Sequence, residues 1–204
     1  MPISFVGSAS AADDTGASTY TLSLSGVSGL AQDDLVVICY GWSSTTNDTV
    51  GLPTGNNSST YQSLCADLYA NDSGDSNFRM AYQFMGATPD TSIDVPGKNS
   101  TTFASAATVL VFRGVDKTTP LDGVTVLTAT GTDGSQANPP AITPSTAGAW
   151  VVAGYGGVGD ATPQAKTAPA NMTGGVQARE GGTTWGWISG LYYYDGWTSG
   201  SFDP

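Results

Sequence analysis

Apolar and polar positions along this chain alternate with a period of two far more often than with the period of a helix, and strand signals recur from end to end. In the run NFRMAYQFM, Phe78, Met80, Tyr82 and Phe84 fall on one face and Arg79, Ala81 and Gln83 on the other, as a half-buried antiparallel strand requires. The run ATVLVFRG is almost continuously apolar, which suits a central strand, although periodicity alone leaves a short buried helix open. By these criteria residues 3–8, 18–24, 34–42, 61–70, 77–85, 103–113, 123–129, 149–155 and 183–194 are expected strands. Each is flanked by the Gly, Pro, Asn or Asp that turns demand.

Turn residues fill the intervals. The run ANDSGDSN between Tyr69 and Phe78 reads as a hairpin connection. Residues 131–147 form the strongest loop signal, because Pro139, Pro140 and Pro144 bar regular ladders, and residues 156–175 make a second loop-rich stretch. No internal repeat appears at a fixed period. The pattern predicts one all-β domain over 1–204, an antiparallel β-sandwich of jelly-roll type. Its terminal segments, 1–10 and 196–204, are extended and apolar enough to make subunit contacts.

Length agrees with that reading, since 204 residues suit a single sandwich with a sizeable core. Charged residues make up 11% of the chain against a usual value of about 25%, so the surface is mostly neutral and rich in hydroxyls. Seventeen acidic side chains against six basic ones give a formal charge of −11, which opposes binding to nucleic acid and to anionic membranes. The N-terminus lacks the basic and apolar regions of a secretory signal, and no stretch is long and apolar enough to span a bilayer. A protein made in a cytoplasm, without a membrane partner, is expected. Cys39 and Cys65 both sit in apolar surroundings, and read either as two free core thiols or as a disulfide pair.

The chain contains no histidine, so Ser-His-Asp and Cys-His arrangements cannot be assembled and the commonest general base and zinc ligand are missing. A paired-carboxylate glycosidase passes that test, but Glu180 is the sole glutamate and the aspartates cluster in turn contexts such as Asp33-Asp34 and Asp90-Thr-Ser-Ile-Asp94. Gly154-Tyr-Gly156-Gly-Val-Gly159 matches G-x-G-x-x-G after an expected strand. No helix follows to receive a pyrophosphate, so the run reads as a glycine-rich strand exit. Asn71, Asp72, Ser73, Asp75 and Asn77 offer oxygen ligands, yet their spacing misses the calcium-loop pattern and a solvated hairpin tip is the better reading. No enzyme activity, metal or cofactor is expected. The residual chemistry lies in the aromatics near the C-terminus. Trp185, Trp187, Leu191 and Tyr193 share one side of a strand and Tyr192 and Tyr194 the other, with Trp197 and Phe202 in the tail. Trp185, Trp187, Tyr193, Trp197 and Phe202 form the candidate interaction surface, with core packing, a subunit contact and a sugar-stacking platform as the competing uses.

Several segments, in order, resemble a jelly-roll module that recurs in phage structural proteins and in some large secreted bacterial proteins. They are Asp34-Leu-Val-Val-Ile after the turn Gly29-Leu-Ala-Gln-Asp33, Pro53-Thr-Gly55, the strand 78–85, the run from Val109 to Asp122, the Pro139-Pro140 loop and the strand 150–155. The most specific is Val109-Leu-Val-Phe-Arg-Gly-Val-Asp-Lys-Thr-Thr-Pro-Leu-Asp122. Relatives commonly carry Gly-Trp just after Pro-Thr-Gly, where this chain has Gly55-Asn-Asn-Ser, and the C-terminal aromatic segment lies outside the likeness. The resemblance implies a β-sandwich that attaches to, coats or extends an assembly, and it transfers no catalytic residue. The expected function is therefore that of a structural protein of a tailed-phage virion, a capsid decoration or cement protein before a tail or fibre component. Its partners would be the major capsid protein or other virion proteins and further copies of itself, a trimer among the arrangements. A lectin-like, glycan-binding module is the alternative.

Overall fold

The computed structural model describes residues 2–71, 74–122 and 139–204. Among them every regular element is a strand, and every ladder is antiparallel. The antiparallel β-sandwich read from the sequence is present, built in three layers.

The middle layer is a six-stranded sheet. Its order is β1 (Ser4–Asp13), β9 (Ser105–Arg113), β3 (Leu35–Ser44), β7 (Asp75–Phe84) and β5 (Gln62–Ser63), with β6 (Leu68–Ala70) also paired to β7. All ten residues of β3 are buried, and all of β9 but Arg113. Strands covered on both faces need apolar or small residues at every position, which explains why ATVLVFRG shows no alternation. One face packs against a sheet of β2 (Thr19–Ser23), β8 (Ser92–Pro96) and β4 (Thr54–Gly55). Leu22, Val36, Ile38, Tyr40, Ile93 and Val109 form that core. The other face packs against a sheet of β10 (Val151–Asp160), β12 (Trp185–Tyr194) and β11 (Gly174–Glu180), through Cys39, Met80, Leu110, Phe112, Trp187 and Leu191.

The pairs in the first two layers nest inside one another: β1 with β9, β2 with β8, β3 with β7, and Thr54 of β4 bridging Thr60. The chain to Arg113 is thus wound as one long hairpin, folded over so that alternate pairs enter opposite sheets. The third sheet is added afterwards.

The structure corrects several details. The expected strand 61–70 is broken into β5 and β6, because Asp67 turns aside to accept from Val50 N–H (3.2 Å) and to pair with Arg79 (3.0 Å). The loop-rich stretch 156–175 holds the second half of β10 and the start of β11 at its two ends. Besides the two-residue β4, two short strands, β8 and β11, were not expected. Asp94 in the first belonged to an apparent turn cluster, and the second carries two glycines and two charges yet is held by its register along β12. The expected strand 123–129 lies outside the described residues.

Candidate functional site

Strand β12 carries most of the predicted interaction residues, and its odd positions face the central sheet. Trp187 is fully buried, Leu191 likewise, and Tyr193 is 9% exposed. Room for the Trp187 indole comes from Gly41 of β3 and Gly156 of β10, where an added Cβ would run into the ring. Its Nε1–H finds no acceptor, so packing alone holds it. Trp185 is half-buried at the start of β12, bridged to Phe103 and lying against Gly74. Tyr193 is the middle ring of a stack, with Phe5 of β1 on one side (4.8 Å) and Trp150 on the other (5.3 Å). Phe112 meets the same Tyr193 edge-on at 5.8 Å.

The tail folds back onto its own chain. Trp197 and Phe202 are 7% and 8% exposed and join Val151, Ile142 and Met172 in a third cluster on the outer side of β10 and β12. Phe202 and Ile142 exchange two backbone hydrogen bonds (2.7 and 2.8 Å), and Trp197 Nε1 donates to Gly200 O at 3.0 Å. Four of the five predicted interaction residues are therefore interior in this chain, and the rings of Trp187, Trp197 and Phe202 present no open face on which a sugar can stack. The large hydrophobics left exposed among the described residues are Phe5 (39%) and Leu121 (44%).

The glycine-rich run is also structural. It lies within β10 rather than at its exit, with Gly154 against Met80 and Cys39, Gly156 against Phe78 and Trp187, and Gly159 against Pro163. Between the two sheets, the Cys39 thiol contacts the hydroxyls of Thr108 (3.0 Å) and Ser189 (3.1 Å) and donates to Gly190 O (3.2 Å), which ties β3, β9 and β12 together. Burial pushes this thiol up to about 11 against the opposing pull of its hydroxyl partners. Cys65 is partly buried, and both cysteines are free, in keeping with the first of the two expectations.

The residues that carried the resemblance build a clasp. Asp34 is fully buried, and Arg113 grips it with two parallel bonds, Nε to Oδ1 at 2.7 Å and Nη2 to Oδ2 at 2.8 Å. Ala31 N–H donates to the same Oδ2 (2.8 Å), and Arg113 Nη2 also reaches Gly29 O (2.7 Å). Further along, Lys117 pairs with Asp33 (2.6 Å), Asp116 accepts from Thr118 N and the Thr119 hydroxyl, and Asp122 accepts from Ser145 N and Thr146 N. The charged residues of this motif hold turns in place.

A second polar knot sits at the far end of β3. Asp48 accepts from Lys98 Nζ (2.6 Å), Trp42 Nε1 (3.0 Å), Ser44 Oγ (2.8 Å) and Thr46 Oγ1 (2.8 Å). Partial burial works against its charge, but Lys98, Trp42 and the two hydroxyls together hold the carboxyl down to about 2. The oxygen-rich hairpin lies close by. Asn77 is buried with its amide committed to Asp48 N and Thr46 O, and Asp75 accepts from Tyr69 (2.8 Å). Asp72 and Ser73 lie outside the described residues, and among the described ones no group of three His, Cys, Asp or Glu could hold a metal ion.

Neither knot was predicted as a unit from sequence, since the partners are separated by 79 and 50 positions. A cleft of about 1090 Å³ opens between β7 and β10, lined by Leu35, Val37, Phe78, Met80, Trp150 and Val152, with Asp122 and Pro139 at its rim. Its wall is mainly apolar, with Cys65, Asp116, Asp122 and Lys166 also among the lining residues.

Among the described residues no helix is long and apolar enough to cross a membrane. Set against models of known protein families, against curated proteins and against solved structures, the chain matches none.

Proposed function

We propose that this protein is a non-enzymatic structural component of a tailed-phage virion, a decoration or cement protein on the outer shell, with the major capsid protein and further copies of itself as partners. The observation that carries the reading is the fate of the charged residues in the run from Val109 to Asp122. That run is the most specific part of the likeness to phage modules, and its charged side chains are engaged as turn clasps within a sandwich, Asp116 and Asp122 also bordering the cleft. The nested pairing of β1 to β9 supports treating that part as a jelly roll. Three β layers with both faces of the central sheet covered make a stiff block, suited to presenting a fixed outline to a lattice.

The test is the copy number of this protein in purified particles, measured by quantitative mass spectrometry against the major capsid protein. A count equal to the capsid protein, or a simple fraction of it, is expected. A handful of copies moves the protein to the tail or fibre, and absence from particles overturns the proposal.

A further inference from the structure

An unpaired sheet edge offers a row of backbone N–H and C=O groups to any strand that can reach it, and proteins ordinarily blunt such edges by shortness, charge or proline. Most edges here are blunted among the described residues. The β7 side of the central sheet is capped by β5 and β6, two and three residues long. The small sheet ends in β4, of two residues, and β2, of five. Strand β11 carries Arg179 and Glu180, and β10, although ten residues long and free of charge and proline as far as Gly159, borders the cleft whose opposite wall is β7. Strand β1 is different. It is ten residues long, pairs among the described residues with β9 on one side only, and from Ser4 to Ala12 contains neither charge nor proline. Its one protective feature is a bulge at Val6, where the register jumps between Phe5 and Gly7.

We propose that this edge is completed by the β1 strand of a second copy, antiparallel about a two-fold axis through Ala9, joining two six-stranded sheets into one. The strand is complementary to itself in that register. Opposed residues must share a face, and the pairing to β9 assigns the faces. Phe5 and Ala12 lie opposite even-numbered residues of β9, as do Ser8 and Ser10, whereas Ser4, Gly7, Ala9, Ala11 and Asp13 lie opposite odd-numbered ones. A two-fold axis at Ala9 therefore sets Ser8 against Ser10 of the partner, Gly7 with the bulged Val6 against Ala11, Phe5 against Ala12 and Ser4 against Asp13, each with a residue of its own face. The bulky, 39%-exposed Phe5 ring meets the small Ala12 methyl. The lone carboxylate of the strand meets a hydroxyl, and the two Asp13 side chains stand roughly 30 Å apart, several screening lengths at physiological salt. Gly, Ser and Ala in between let the two backbones approach.

This contact deepens the self-association proposed above without depending on the virion reading, because a dimer found in solution but absent from particles would remove that reading and leave this one standing. Purified protein, run by size-exclusion chromatography with light scattering, is expected at twice the 20.7 kDa chain mass, and Ser10→Lys is expected to return it to the chain mass with its circular dichroism spectrum unchanged. On a Cys65→Ser background, Ala9→Cys should oxidise to a covalent dimer, while Thr21→Cys, on the exposed side of β2, should not. A wild-type protein that stays monomeric up to about 100 μM, a dimer that survives Ser10→Lys, or equal cross-linking through both cysteines would each overturn the pairing.

Discussion

The Asp34–Arg113 clasp gives the sharpest stability test, because its two halves are unequally buried. Asp34 has no exposed surface, whereas the Arg113 side chain keeps 42% of its own. Arg113→Met keeps the aliphatic stem but removes two of the three donors to the carboxylate, leaving only Ala31 N–H. Stranding one member of a buried pair costs about 3–5 kcal/mol, and water entering along the half-exposed arginine path places the stranded Asp34 carboxylate near the lower end, about 3 kcal/mol. For a chain of this length that is a fall in melting temperature of about 6–12 °C. Arg113→Lys should fall between the two, since an ammonium cannot reproduce the two-bond fork. The decisive comparison is the double variant Asp34→Asn, Arg113→Met. Neutralising the stranded group while leaving an acceptor for Ala31 N–H should recover at least half of the loss. Scanning calorimetry on the four proteins measures this. A fall below about 2 °C for Arg113→Met, or a double variant no better than the single, would refute the argument.

Four other outcomes follow from the same reasoning. Asp48 ionises more readily folded than unfolded, so its stabilisation is full above about pH 4 and is lost as pH falls through about 2; the gap in melting temperature between wild type and Asp48→Asn should close over that window, and a constant gap from pH 7 to 2 would be the contrary result. Trp187→Ala should cost about 3–5 kcal/mol, a drop of about 6–20 °C, while Trp187→Phe should cost much less because the indole N–H has no partner to lose; equal losses would point to an unseen acceptor. A thiol reagent should label the native protein at Cys65 well before Cys39, with both reacting after unfolding, as read by peptide mass spectrometry; native labelling of Cys39 at the Cys65 rate would contradict its burial. The β1 dimer should tighten as salt rises, because screening relieves repulsion between two chains of charge −11; dissociation on adding salt would indicate a contact carried by ion pairs instead.

Strand existence was legible wherever alternation or continuous apolarity was strong. The face assignments of Phe78, Met80 and Leu191 hold in the structure, and so does the central position of β9. What failed was the reading of small residues. Gly156 and Gly159 look like loop punctuation, yet they sit within β10 because Phe78 and Trp187 rings or Pro163 fill the space of their missing side chains. Local propensity cannot see a ring arriving from another sheet. The C-terminal aromatics were ambiguous for a related reason: an aromatic row can face a core or a partner, and the difference lies in whether another layer covers it. Here the added third sheet brings Trp187 onto the central sheet, and the tail buries Trp197 and Phe202. The two polar knots were invisible because each joins residues far apart in the chain, although Asp34 before the all-buried β3 was a visible oddity.

The use of charge inside the chain bears on what can bind outside it. Four of the six basic side chains, Arg79, Lys98, Arg113 and Lys117, are engaged with Asp67, Asp48, Asp34 and Asp33. Subtracting those four aspartates from seventeen acidic residues leaves thirteen carboxylates and at most two further basic side chains to meet them. The net charge stays at −11, but with most cations spent on holding turns the charges left over are almost all negative. A partner has two ways to approach such a surface. It can bring positive charge, as a basic patch on a shell protein would, or it can use a stretch where charge is absent. Ser4 to Ala12 is such a stretch on a long open edge, with hydrogen-bonding backbone to offer. Identical copies each carry a charge of −11 and repel where their charges meet, so an uncharged stretch is the easier route to self-association, and β1 offers one.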